Sequence, residues 1–209
     1  MPGVILTSET QMADAAAELA AREVVFARVL PALGPLPLRR VDDGFLALRD
    51  SIIGQQVSVA SARAIRARLD SAGYALQDAV AEAGDDALRA CGLSRQKIRY
   101  LSALARARLD YAALREMPNE AVIATLVELP GIGRWTAEMY LMFALGRADV
   151  FAPDDLALAE AARMLFDLPE RPRPKPFAAM AEPWAPWRAV AARLLWAYYA
   201  QMKRREGVG

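Results

Sequence analysis

The sequence contains no histidine and a single cysteine, Cys91. One cysteine cannot close an internal disulfide, which fits a reducing compartment. It also excludes an iron–sulfur cluster held by four thiolates. Without histidine the commonest metal ligand and the commonest general base are missing, so a zinc site or a Ser-His-Asp triad is close to excluded. Charge of one sign is scarce as well: 26 basic side chains against 25 acidic ones give a net charge of +1. A cationic coat for nucleic acid is therefore absent. Any DNA contact has to use a local basic patch or backbone amides. No charge-free apolar run of about 18 residues occurs, so no membrane span is expected. The opening Met1-Pro2-Gly3-Val4-Ile5-Leu6 is too short and uncharged for a signal peptide, and a cytosolic protein is expected.

What is present is helical. Apolar residues make up 55% of 209, enough for a real core. Alanine, leucine and arginine dominate, and the segments between Pro and Gly carry helical periodicity. The pattern predicts an all-α chain. Its helices fall near 10–19, 20–31, 42–54, 57–72, 76–82, 85–90, 94–113, 119–126, 133–146, 156–165, 176–181 and 185–205. Ser58 and Asn119 are the expected N-caps of two of them. The stretch Pro169–Pro176 alternates basic residues with proline, which suits either a phosphate contact or a solubilising loop. Lys203-Arg204-Arg205 reads as a solvated helix end favoured by the helix dipole.

The informative stretch is Leu129-Pro-Gly-Ile-Gly-Arg-Trp-Thr-Ala137. Gly131 and Gly133 flank one isoleucine between two helices. Glycines there permit positive φ and close approach of another backbone. Ile132 can plug inward and fix the turn. The second helix then offers its unpaired N–H groups to an anion such as a phosphate, and Arg134 adds charge at the same place. An ordinary helical corner with a glycine C-cap is the competing reading. About twenty residues on comes Val150-Phe-Ala-Pro-Asp154-Asp155. One carboxylate of that pair can cap the next helix while the other points at whatever the hairpin holds.

LPGIGRWTA followed by VFAPDDLAL resembles the helix–hairpin–helix DNA glycosylases, and within them the 3-methyladenine DNA glycosylase II branch of alkylation repair. Three further segments carry the resemblance. Ser51-Ile-Ile-Gly-Gln55-Gln56-Val-Ser58 is similar to the family's minor-groove segment. Gly92-Leu-Ser-Arg-Gln-Lys97-Ile98 is similar to its G-[LM]-S-x-x-K signature. Trp184-Ala-Pro-Trp187-Arg188 is similar to its late W-x-P-W-R element. The match covers residues 40–200.

The resemblance implies a glycosylase core of two lobes spanning 1–209: about 42–115 in one, 116–170 with the helix–hairpin–helix, and termini 1–41 and 171–209 packing together. It implies Asp155 as the catalytic carboxylate and Asp154 as its capping neighbour. Trp135 and Trp187 fall on base-pocket positions. Met139 and Leu156 stand where the best-known members carry pocket tyrosines, with Tyr140 one residue off, so this pocket is less aromatic. Gln56 takes the place of a wedge filling the gap left by the flipped nucleotide. Gln55, Ser58, Lys97, Gly131, Gly133, Arg134 and Thr136 are the other expected DNA contacts. Members that also cut the DNA backbone carry lysine at position 135 as a Schiff-base nucleophile. Trp135 thus implies a monofunctional enzyme leaving an abasic site. The family implies no required cofactor, with a sodium or potassium ion on backbone carbonyls around Leu129, Gly131 and Gly133. The partner is duplex DNA containing damaged bases, and the protein a monomer in the cytoplasm, or nucleoid-associated in a bacterium. Only about 40 residues precede the core, which implies a compact form without the N-terminal β-rich domain of larger members.

Three alternatives stay open: a glycosylase for uracil, hypoxanthine or mismatches; a non-catalytic helix–hairpin–helix DNA-binding protein; and a helical interaction protein with no DNA role.

Overall fold

A computed structural model describes residues 2–205 and gives an all-α chain. Among the described residues the only β-type pairing outside the helices is an isolated antiparallel bridge between Ile5 and Arg147. Among the described residues no helix is long and apolar enough to cross a membrane. The chain forms two compact units. One is Val41–Tyr140; the other joins Pro2–Arg40 to the chain from Leu141 onward. These divisions differ from the lobes 42–115 and 116–170 expected from sequence. The hairpin groups with the helices before it, because Gln55 and Tyr100 from those helices meet it at Gly131.

The unit Val41–Tyr140 contains α3 (Phe45–Gly54), α4 (Val59–Ser71), α5 (Gln77–Glu82), α6 (Asp85–Ala90), α7 (Arg95–Ala107), α8 (Tyr111–Glu116), α9 (Asn119–Val127) and α10 (Arg134–Met139). Helix α7 is its centre and packs against α3, α5 and α6. Its buried Ile98, Leu101 and Leu104 recur at helical spacing, which is why one face is apolar and the other charged. The sequence predicts one helix over 94–113. The structure breaks it, because Arg108 takes a left-handed conformation (φ 44°) and Asp110 caps α8 through Ala113 N–H at 2.9 Å. Arginine carries no stop signal of the kind glycine gives, so the break is invisible in the pattern. Ser58 caps α4 as expected. The cap position of α9 is Pro118, one residue before the predicted cap Asn119, which is instead the first helical residue. Arg49 is buried and paired with Asp50 and Asp70, tying the base of α3 to α4.

The other unit contains α1 (Glu9–Arg22), α2 (Val24–Leu33), α11 (Leu156–Leu165), α12 (Pro174–Met180) and α13 (Arg188–Arg205). Helix α13 packs against α1, α2 and α11, so the two ends of the chain share one core. Phe26, Phe151, Phe166, Phe177 and Trp184 form an aromatic cluster with ring centroids 4.8–6.0 Å apart. Helix α10 runs directly into a π-helical turn, Tyr140–Ala144, within the predicted helix 133–146. Such turns are rare and often stand at functional sites.

Candidate active site and DNA-contact residues

In the first unit the hairpin is shaped by one glycine. Gly131 has φ +87°, and a Cβ there would overlap the Tyr100 ring. Gly133 differs: its φ is −88° and open space surrounds the place a Cβ would take. Positive φ is therefore required at Gly131 alone, whereas Gly133 leaves an unobstructed approach to the start of α10. Ile132 is buried beneath the turn. Gln55 Nε2 donates to the Gly131 carbonyl at 2.8 Å, so the end of α3 holds the hairpin by a side-chain amide. Gln56, the expected wedge, is exposed with φ 56°, an uncommon left-handed state for a residue with a side chain.

Several expected DNA contacts are engaged within the unit. The Arg134 guanidinium bonds Glu120 at 2.8 and 3.2 Å and Glu138 at 3.0 Å; the Glu120 hydrogen bond leads the effects raising its pKa. Its charge is thus balanced on the protein. Thr136 is buried, 5% exposed, because it lies on the inner face of α10. Lys97 is only 8% exposed, and its Nζ donates to the Ile53 carbonyl at 2.6 Å near the end of α3. Burial lowers its pKa. It satisfies a helix-end acceptor, a role any surface-lysine reading misses. It also lines a pocket of about 290 Å³ with Gln55, Gln56, Gln96 and Tyr100. Ser58 is exposed, with its hydroxyl accepting from Ser61 N–H. The three hairpin carbonyls named for a cation each accept a hydrogen bond: Leu129 from Ile132, Gly131 from Gln55 and Gly133 from Ala137. A cation there would share oxygens that keep a second lone pair. Among the described residues no cluster of three or more metal-ligating His, Cys, Asp or Glu side chains occurs.

Tyr140 is buried, and its hydroxyl bonds Asp43, which also pairs with Arg115 at 2.5 Å. Burial first, then Asp43, pushes its pKa far up. Tyr111 beside it is pushed up to about 12, by burial and then Asp43. The hydroxyl of Tyr140, a residue expected in the pocket, is thus engaged inside the unit. Trp135, by contrast, is 41% exposed on α10, and Met139 is half-buried.

In the second unit Asp155 stands at the head of α11. Its Oδ1 accepts from Leu158 N–H at 2.9 Å and from Trp196 Nε1 at 3.2 Å. The cap falls on Asp155 and not, as expected, on Asp154, which is exposed. Only the residue directly before the first helical position can reach the amide three residues on. The carboxylate is thus fixed from two helices, α11 and α13. Trp196 rests on Phe143 of the π-helical turn, with centroids 5.8 Å apart. Above that ring, at 4.8 Å, lies the guanidinium of Arg193, which is 3% exposed. A desolvated cation on an aromatic face is worth about 2 kcal/mol. Arg193 also donates to the carbonyls of Ala189, Met142 and Leu38 at 3.0, 3.0 and 3.2 Å. Burial, with Arg40 and Arg39 nearby, lowers its pKa to about 10, so it stays charged at neutral pH.

Leu156 is exposed and Trp187 half-buried, with its indole Nε1 buried and no hydrogen-bond partner for that atom. The side chains that sequence reasoning missed are Trp196, Phe143 and Arg193. One signal was available: Arg193 is the only charge in the run Ala189–Trp196, and a buried charge needs partners.

Helix, glycine hairpin, helix, and then an aspartate heading a later helix are the parts of a helix–hairpin–helix protein. Residues 50–186 match the family described as HhH-GPD superfamily base excision DNA repair protein. A curated relative, the DNA-3-methyladenine glycosylase 1 of Schizosaccharomyces pombe, is 33% identical over 155 residues, covering 70% of this chain and 68% of that protein. Three other curated relatives are longer, and the chain spans about half of their length. A DNA-3-methyladenine glycosidase structure from Bacillus halodurans matches with a TM-score of 0.82 and 30% identity, covering 95% of this chain and 92% of that one. An S. pombe 3-methyladenine DNA glycosylase in complex with abasic DNA matches with a TM-score of 0.75 and 30% identity, covering 88% and 95%. The chain belongs to the HhH-GPD superfamily of base excision DNA repair proteins.

Proposed function

We propose that this chain is a monofunctional DNA glycosylase that hydrolyses the N-glycosidic bond of alkylated bases such as 3-methyladenine and 7-methylguanine. The observation that carries the reading is the carboxylate of Asp155, held on Oδ1 by both α11 and the Trp196 indole, in a chain with no histidine. Superfamily membership and the names of the relatives support it.

A base inside duplex DNA is out of reach, so the nucleotide is rotated out of the stack, at least cost for a damaged or mispaired base. Hairpin amides at the start of α10 receive a backbone phosphate there, with Gly133 leaving room for it. Gln56 fills the gap in the duplex. As the glycosidic bond breaks, positive charge develops on the sugar, and a fixed carboxylate lowers the barrier electrostatically. The same carboxylate orients or deprotonates the attacking water. An alkylated purine is itself cationic, and the faces of Trp135 and Trp187 attract it. Trp135 has no amine, so no Schiff base forms and the product is an intact strand with an abasic site. A sodium or potassium ion at the hairpin carbonyls would supply a further contact to that phosphate. The enzyme acts as a monomer.

The test is base release from a duplex carrying methylated purines, with and without alkali. Free methylated base, and strand breaks only after alkali, are expected. Breaks without alkali would refute the monofunctional reading. Release of uracil or hypoxanthine in preference to methylated purines would favour the second reading, for which the exposed aliphatic Leu156 at the site leaves room.

A further inference from the structure

We infer that Phe143 and Arg193 are positioning residues for Asp155, acting through Trp196. This rests on the catalytic reading of Asp155 given above.

The contacts run in one line within one compact unit. Asp155 Oδ1 accepts from Trp196 Nε1 at 3.2 Å; the Trp196 ring lies on Phe143 at 5.8 Å with planes 30° apart; the Arg193 guanidinium sits 4.8 Å above the other ring. Leu158 N–H caps the carboxylate on Oδ1 from its own helix. The Trp196 indole is a second donor to the same oxygen, from another helix. It works only if the indole is held in its plane, and the indole is held by Phe143.

Phe143 is placed by an unusual backbone. It lies in the π-helical turn Tyr140–Ala144, where the helix ends and its last carbonyls have no donors further along it. Side chains replace them. Arg193 donates to the Met142 carbonyl at 3.0 Å, and Arg40 to the Ala144 carbonyl at 2.7 Å, on either side of Phe143. Arg193 thus grips the turn twice, at the backbone before Phe143 and on its ring. That explains a guanidinium placed 3% exposed, in the core, with backbone carbonyls as its hydrogen-bond acceptors. A leucine would fill the volume but would leave the turn and the ring unfixed.

The test compares Phe143→Leu, which keeps apolar bulk and loses the ring, with Phe143→Tyr, which keeps the ring. The readouts are single-turnover release of 7-methylguanine from methylated duplex, affinity for a duplex holding a stable abasic analogue, and thermal midpoint. Phe143→Leu is expected to slow release by about 10- to 100-fold, the scale set by small misplacements of a reacting group. Abasic-duplex affinity stays level, and Phe143→Tyr restores release. Trp196→Phe, which keeps a ring on Phe143 and removes the indole N–H, falls as Phe143→Leu does and serves should the latter fail to fold. Equal release by Phe143→Leu and the parent overturns the inference, as does an equal loss in Phe143→Tyr. Asp155→Asn separates the two levels. If it abolishes release while Phe143→Leu and Trp196→Phe do not slow it, the relay is wrong and the catalytic reading stands. If Asp155→Asn still releases base, both fall.

Discussion

In the unit Val41–Tyr140 the hairpin is shaped by backbone: a left-handed glycine, a buried isoleucine and a carbonyl held by Gln55. In the other unit Asp155 is placed by side chains: an indole, a phenyl ring and a buried guanidinium from segments far apart in sequence. The difference teaches how each function tolerates error. A phosphate held by several amides accepts small shifts, because each bond contributes modestly and the charge is diffuse. A carboxylate facing a developing cation has one position to hold, and a fraction of an ångström changes the rate. The first task suits a short local motif, the second a network built across the core.

The largest test of this contrast is Asp155→Asn. Asparagine caps a helix about as well as aspartate, so stability should hold while base release falls by at least about 10²–10³-fold, the scale of lost transition-state electrostatics. Abasic-duplex affinity measured alongside should stay within about twofold, since the contacts to the backbone remain. Next is Gly131→Ala. Left-handed backbone costs a side chain about 1–2 kcal/mol, and overlap with Tyr100 adds about 1–3 kcal/mol, read by urea unfolding. Adding Tyr100→Ala should recover the overlap and leave the strain. Tyr140→Phe removes a bond to Asp43 and should cost about 1 kcal/mol of stability with release unchanged; a loss of release at constant stability would support a pocket role for Tyr140. The smallest structural effect belongs to Gly133→Ala, below about 1 kcal/mol, because its φ is ordinary and its surroundings open. Its duplex affinity should nonetheless weaken by severalfold. Equal affinity would show that no DNA backbone approaches there, and would blur the contrast with Gly131.

Much of the first unit was legible because its signals are local. Glycine spacing marked the turn, Ser58 marked a helix start, and periodicity marked the core face of α7. The errors there came from conformations that any residue type can adopt under tertiary pressure, such as left-handed Arg108 ending α7. Lys97 reads as solvent-facing until the structure shows the carbonyl of Ile53 that takes it in, whereas Arg134 stays half exposed while it pairs with Glu120 and Glu138. In the second unit, position 155 was legible from its motif, but not that this residue, rather than Asp154, is the cap.

The sequence by itself determined the all-helical class, the hairpin and its aspartate, and the absence of histidine and cysteine-cluster chemistry. Composition, short spacings and periodicity act within a few residues, and those features are set there. Only the tertiary structure decided which hairpin glycine must be glycine, since that depends on Tyr100 lying 31 positions earlier in the chain. It also decided what holds Asp155, since Trp196, Phe143 and Arg193 meet through the packing of α13 on α11 and the winding of one π-helical turn. Contacts of that range are fixed by burial and shape in the folded core, and no local pattern carries them.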